Sequence, residues 1–241
     1  MLLISGLRIT DASRSIHPGD VRLTGPGCDK LIQNEHRKTV LPRITLDHNC
    51  LFEVSECRPY ASDILKLVEL HRSNVITLSV TGAGAAERPK NSNAVREFSA
   101  YQAFLASMNL SDINILKPVC VVGLTYTDWC MLGDDASDDL RCRIRDVLFA
   151  RRPDYANDCA RRGLDPNGEV GKKYRNEEMD VIHLWTHILH DGDAFVTRDR
   201  NFHKSTKKPR LEQLGAKRIL QPGDAVKFAQ HGSAPSRLTG A

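Results

Sequence analysis

Three aspartates stand where carboxylates can do chemistry. Asp47 closes the β-branched run RITLD (43–47), and Asp199 follows the run AFVT (194–197) in VTRDRN. Asp180 sits in NEEMDVIHLWTHILHDG (176–192), the segment that leads into that second run. Carboxylates crowded together repel, and each raises the pKa of the others. A hard divalent cation relieves the conflict, because Mg²⁺ and Mn²⁺ take oxygen ligands and keep several waters. Such an ion polarises a phosphoryl oxygen and activates water for in-line attack. Asp180 alone reads as a first-turn acid favoured by the helix dipole. Its neighbours Met179, Ile182, Trp185, Ile188 and Leu189 nevertheless mark the segment for burial.

The elements that must position these acids alternate in type. RITLD, VITLSV (75–80), INIL (113–116), AFVT and RIL (218–220) read as strands. YASDILKLVELHRS (60–73), NAVREFSAYQAFLASM (93–108), residues 176–192, KPRLEQLG (208–215) and PGDAVKFA (222–229) carry helical spacing. Alternation of this kind implies right-handed βαβ units and a mostly parallel sheet, with function at the carboxyl ends of its strands. If the first and fourth strands are neighbours, Asp47 and Asp199 meet at one edge. Residues 117–175, with a helix near 138–150 and another ending before Gly163, read as an insertion. Residues 1–42 form an N-terminal extension with no assignable role, and 230–241 a tail expected to be disordered.

ITLDHN resembles the opening motif of PIN-domain ribonucleases, a hydrophobic strand followed by L-D-x-N. FVTRDRNF is similar to that family's fourth motif, and Asp180 stands about nineteen residues before Asp199, as the family's third acid does. The resemblance covers roughly residues 43–80 and 176–229. It implies a PIN-like three-layer α/β fold over 43–229, with a five-stranded sheet in the order 3-2-1-4-5. It also implies a nuclease using Mg²⁺ or Mn²⁺, with Asp47, Asp180 and Asp199 as metal-binding acids and Asn49 and Thr197 orienting them. The family's second acid has two candidates. Glu87 follows the second strand in LSVTGAGAAERPK, where Gly82 to Ala86 could let the chain pass close to a metal; Glu97 lies in the next helix. Glu87 is preferred, giving Asp47, Glu87, Asp180 and Asp199 as the catalytic set.

Other constellations compete. Asp180, His183 and His187 share a helix face as D-x-x-H-x-x-x-H, a pattern that could hold zinc or iron, but no fourth ligand is marked by spacing. Packing or backbone bonding is the simpler expectation for these histidines, and core positions for Trp129 and Trp185. TGAGAAERPK lacks G-K-[ST], so it is no P-loop. Seven scattered cysteines without a C-x-x-C pair argue against a zinc knuckle or disulfide framework, and most are expected to be buried.

The net charge of +4 is mild, but Arg198 to Arg218 carries eight Lys/Arg against two acids. Arg198, Arg200, Lys204, Lys207, Lys208 and Arg210 are the expected contacts to a phosphate backbone, which position a strand without reading its sequence. RNA, single-stranded or looped, is preferred over DNA. The rival expectation is a catalytically silent PIN-like module that binds nucleic acid or protein, and the weakened second motif favours it. A homo-oligomer or an antitoxin-like partner is compatible with the chain, though neither has a signature in it. No apolar run approaches the ~20 residues of a membrane span, and MLLISGLRITDASR lacks the basic start of a signal peptide. The expected address is the cytoplasm.

Overall fold

The computed structural model describes residues 41–86, 98–121, 124–125, 129–149, 155–163 and 172–232. Residues 1–40, both candidate second-motif acids (Glu87 and Glu97) and the tail from 233 onward lie outside the described residues. Five strands form one sheet: β1 (Arg43–Leu46), β2 (Thr77–Thr81), β3 (Asn114–Leu116), β4 (Ala194–Val196) and β5 (Ile219–Leu220). Their order is β3-β2-β1-β4-β5 and every pairing is parallel, so the protein is α/β with the expected 3-2-1-4-5 sheet flanked by helices.

The helices are α1 (His48–Ser55), α2 (Ala61–Arg72), α3 (Phe98–Ser107), α4 (Asp135–Phe149), α5 (Tyr155–Arg162), α6 (Lys172–Leu189), α7 (Lys208–Leu211) and α8 (Pro222–Gly232). Strand alternation sends side chains to two separate cores. Ile44, Leu46, Leu78, Val80, Ala194 and Val196 pack with Ile64 and Leu67 of α2, Leu105 of α3 and Ala225 of α8. Phe195 and Ile219 point the other way, toward Ile144 and Leu148 of α4 and Met179, Ile182 and Trp185 of α6. Each fully buried large apolar side chain contributes about 1.5–3 kcal/mol relative to exposure.

On the α6 side the sheet also presents hydroxyls, and they explain the histidines. Thr45 and Thr81 are buried, and they hydrogen-bond His187 and His183 respectively. His187 Nε2 lies 3.2 Å from the Ala216 carbonyl and Nδ1 2.9 Å from Thr45 Oγ1. A carbonyl only accepts, so the proton sits on Nε2 and Nδ1 accepts from the threonine. Burial lowers the His187 pKa to about 4. Gly192 makes room for this ring: a Cβ there would sit 2.3 Å from its atoms. Both histidines are struts between helix and sheet, and His187, with both ring nitrogens hydrogen-bonded, is not available to a zinc or iron set.

Four expectations require correction. α6 begins at Lys172, so Asp180 lies in its third turn and not its first; the helix dipole at its start does not account for that acid. α1 was not foreseen, because it spans only eight residues and its N-cap is Asp47 itself. The small residues 82–86 form a 3₁₀ turn that accommodates aromatic rings: a Cβ on Gly82 would meet Trp129 at 2.2 Å and one on Gly84 would meet His48 Nδ1 at 2.4 Å. Of the six described cysteines only Cys50 and Cys159 are buried, while Cys57 and Cys142 are exposed.

Part of the segment expected to be an insertion, 117–175, belongs to the body of the fold. Its helix α4 lies against α6, where Glu178, 2% exposed, accepts from Arg141 at 3.0 Å and Arg145 at 2.6 Å. Trp185 is in the core as expected, whereas Trp129 is half-buried and stacks on Phe98 at 3.9 Å.

Candidate active site at the carboxyl edge of the sheet

Because β1 and β4 are paired neighbours in register Leu46 to Val196, Asp47 and Thr197 emerge side by side. The Asp47 amide donates to the Val196 carbonyl at 2.8 Å, which extends the pairing by one more bond. Asp47 is 3% exposed, and its carboxylate is held by donors on both oxygens. Oδ1 accepts the His48 amide at 2.7 Å, capping α1, while Oδ2 accepts Thr197 Oγ1 at 2.6 Å and Asn49 Nδ2 at 2.6 Å. Donors to a carboxylate favour its charged form.

Thr197, fully buried, is the hub of this edge. While donating to Asp47, its hydroxyl oxygen accepts from Asn49 Nδ2 and from the Asp199 amide, both at 3.0 Å. Asp199 is thereby two hydrogen bonds from Asp47. Asn49 Oδ1 takes the Arg198 amide at 3.1 Å, so all three polar residues fix the start of the β4–α7 connection. Burial and the neighbouring Asp47 charge push the Cys50 thiol well above its ordinary range, so it serves this edge as a packed, neutral group.

Beside the edge opens a cavity of about 660 Å³. Asp180 and Asp199 line it together with Glu177, one helical turn before Asp180. The lining also includes the basic Arg200, Lys204 and Lys207; Asn201, Leu148 and Phe149 complete it. The last two come from the end of α4. Among the described residues, no three His, Cys, Asp or Glu side chains stand close enough together to hold a metal ion. Asp180 and Asp199 share the cavity; Asp47 is not part of its lining and is bonded to Thr197 and Asn49.

The basic residues divide into distinct environments. Arg200 is exposed and, among the described residues, makes no ion pair. Lys204 donates to Asn201 Oδ1 at 3.1 Å; Lys207 donates to the same oxygen at 2.6 Å and to the Leu148 carbonyl. Burial and the nearby Lys204 charge lower the Lys207 pKa. Lys208 stands 3.9 Å from Glu212, and Arg210 is exposed on α7, outside the cavity lining. Arg198 turns away to the fully buried Glu53 and lies over the Tyr60 ring at 5.1 Å. Glu53 also accepts the Tyr60 amide at 3.1 Å.

Glu53, Glu177 and Asn201 escaped the sequence reading. An acid inside the apolar stretch CLFEV was the available signal for Glu53, and the i, i+3 spacing to Asp180 for Glu177. No known protein family, curated protein sequence or solved structure matches the chain.

Proposed function

We propose that this chain is a metal-dependent nuclease of PIN-like kind that hydrolyses phosphodiester bonds, with RNA favoured over DNA. The observation that carries the reading is the β1–β4 junction, which joins Asp47 to Asp199 through Thr197 beside a cavity holding Asp180 and a basic rim. The donor set is oxygen-only, which fits Mg²⁺ or Mn²⁺ in chemical type. Asp47, Asp180 and Asp199 would hold the ion, with Glu87 or Glu97 as the fourth acid. The bound ion would supply Lewis-acid polarisation of a phosphoryl oxygen and a more acidic water.

The remaining work falls to the chain's own side chains. Thr197 and Asn49 lock the Asp47 carboxylate in one orientation. Arg200, Lys204 and Lys207 draw in the phosphate backbone irrespective of sequence. An unpaired strand suits the open cleft, because its backbone can bend into the cavity.

One observation favours a second reading, a catalytically silent binding module: no three metal-ligating side chains cluster among the described residues. Labelled single-stranded RNA and DNA, incubated with Mn²⁺ or EDTA and with wild type or Asp199→Asn, separate the two. The nuclease reading expects cleavage in Mn²⁺ that EDTA and the substitution each abolish. Equal cleavage by both proteins refutes the site, and binding without cleavage selects the silent module.

A further inference from the structure

The basic half of the cavity has an arrangement that its own charges do not explain. Lys204 and Lys207 both direct their ammonium groups at one neutral oxygen, Asn201 Oδ1, at 3.1 and 2.6 Å. Neither lysine forms an ion pair among the described residues, although the Asp199 charge acts on Lys207. Two cations gathered on one amide oxygen repel each other, and the lowered Lys207 pKa, due first to burial and then to Lys204, records the cost. Such a pair is ordinary where an anion completes it and unfavourable where none does.

The gathering is built into the fold. The Asn201 amide N–H donates to Asp199 Oδ1 at 2.9 Å, and its side-chain Nδ2 donates to the Leu148 carbonyl at 3.3 Å. That carbonyl also accepts from Lys207, so the end of α4 anchors both residues. An ammonium has three protons. Lys207 spends two on Asn201 and Leu148 and Lys204 spends one on Asn201, which leaves three for a ligand.

We infer that Lys204 and Lys207, gathered by Asn201, form a phosphate-binding subsite distinct from the acids of the same cavity, with Asn201 as its positioning residue. The subsite takes a tetrahedral phosphate oxyanion. Resting on the nuclease reading, it receives the phosphate adjacent to the one that is cleaved, so the inserted helix α4 becomes part of the substrate site.

The test measures binding without catalysis. A fluorescein-labelled single-stranded dodecanucleotide is titrated in EDTA, by anisotropy, at several salt concentrations. Asn201→Asp would hold both lysines at least as firmly as asparagine, yet supply the negative charge that the ligand should bring. It is expected to bind about tenfold more weakly while remaining folded, the fold losing only the Nδ2 bond to the Leu148 carbonyl. Gln213→Glu, an equal charge change at an exposed position on another segment, should bind like wild type. Lys207→Met should reduce the slope of log K against log salt by about 1. Inorganic phosphate as competitor separates two sources of the anion: competition marks a site for a free or terminal phosphate, and its absence a site that needs the diester chain.

Wild-type affinity in Asn201→Asp, or an equal loss in Gln213→Glu, overturns the subsite. Failure of the wild type to cleave, with Asn201→Asp still defective in binding, leaves the subsite standing and removes only the nuclease reading.

Discussion

Replacing Thr197 by valine removes one hydroxyl and little volume, so it isolates the hub of the sheet edge. In the native edge that hydroxyl satisfies one oxygen of a carboxylate that is 3% exposed and accepts from two donors, Asn49 Nδ2 and the Asp199 amide. A hydrogen bond to a charged group is worth about 1.5–3 kcal/mol, and each buried donor left unpaired costs about 1–3 kcal/mol. Asp47 keeps the His48 amide and Asn49, and Asn49 keeps Asp47, so the losses do not add in full. We expect Thr197→Val to lose about 3 kcal/mol, a large share of the roughly 5–15 kcal/mol that holds a domain together. Urea unfolding followed by Trp fluorescence should show the midpoint fall at constant slope. Thr197→Ser retains the hydroxyl and loses only a buried methyl, for about 1 kcal/mol. Valine and serine variants of equal stability would refute the hub, because packing and not the hydroxyl would then account for the position.

His187 makes stability depend on acid. Its folded pKa is about 4 while the unfolded chain titrates near its ordinary 6.5, so between those values the unfolded state binds the extra proton. Stability is therefore full above about pH 6.5 and falls as pH drops toward 4, by about 3 kcal/mol in all at ~1.36 kcal/mol per unit. Urea midpoints across that window check it, and an NMR titration of His187 near 6.5 in the folded protein would contradict it. Glu53→Gln leaves Arg198 without its buried anion and should cost about 1–3 kcal/mol, discounted because Arg198 is partly exposed. A double-mutant cycle with Arg198→Met should return a coupling of about 1 kcal/mol or more, and a zero coupling would remove the pair from the account.

The sheet was legible because its signals are local. Runs such as ITL and AFV are short, apolar and β-branched, and the alternation of strands with amphipathic helices leaves few parallel topologies. The Asp47–Asn49–Thr197 edge was legible too, through the motif resemblance of ITLDHN and FVTRDRNF, and each residue lies within three positions of a strand end. What stayed hidden depends on pairs far apart in sequence. Glu53 and Arg198 are separated by 145 residues, and nothing near Glu53 announces its partner. The start of α6 was misplaced because KKYR, without a capping residue, gives no boundary signal ahead of NEEMD. The histidine face of α6 could equally serve a metal or a polar patch on a sheet. Only the pairing of Thr45 and Thr81 with that face decides for the sheet.

The opposite charges at Arg198 and Asp199 find separate partners because of the path the chain takes on leaving β4. Thr197, Asp199 and Asn201 each feed one connected network, from Asp47 through the Thr197 hydroxyl to the Asp199 amide, then from Asp199 Oδ1 to the Asn201 amide and on to both lysines. Of the residues between and after them, Arg198 is committed to buried Glu53 and Phe202 to the core at 0% exposure. Those two anchors lie on either side of Asp199 and restrict the rotation of the connection between them. This one stretch thus positions Asp199 and, through Asn201, the two lysines, and a disturbance of either anchor should move both. Without Glu53, Arg198 would be free to neutralise Asp199, and the cavity would lose an acid that the proposed chemistry requires.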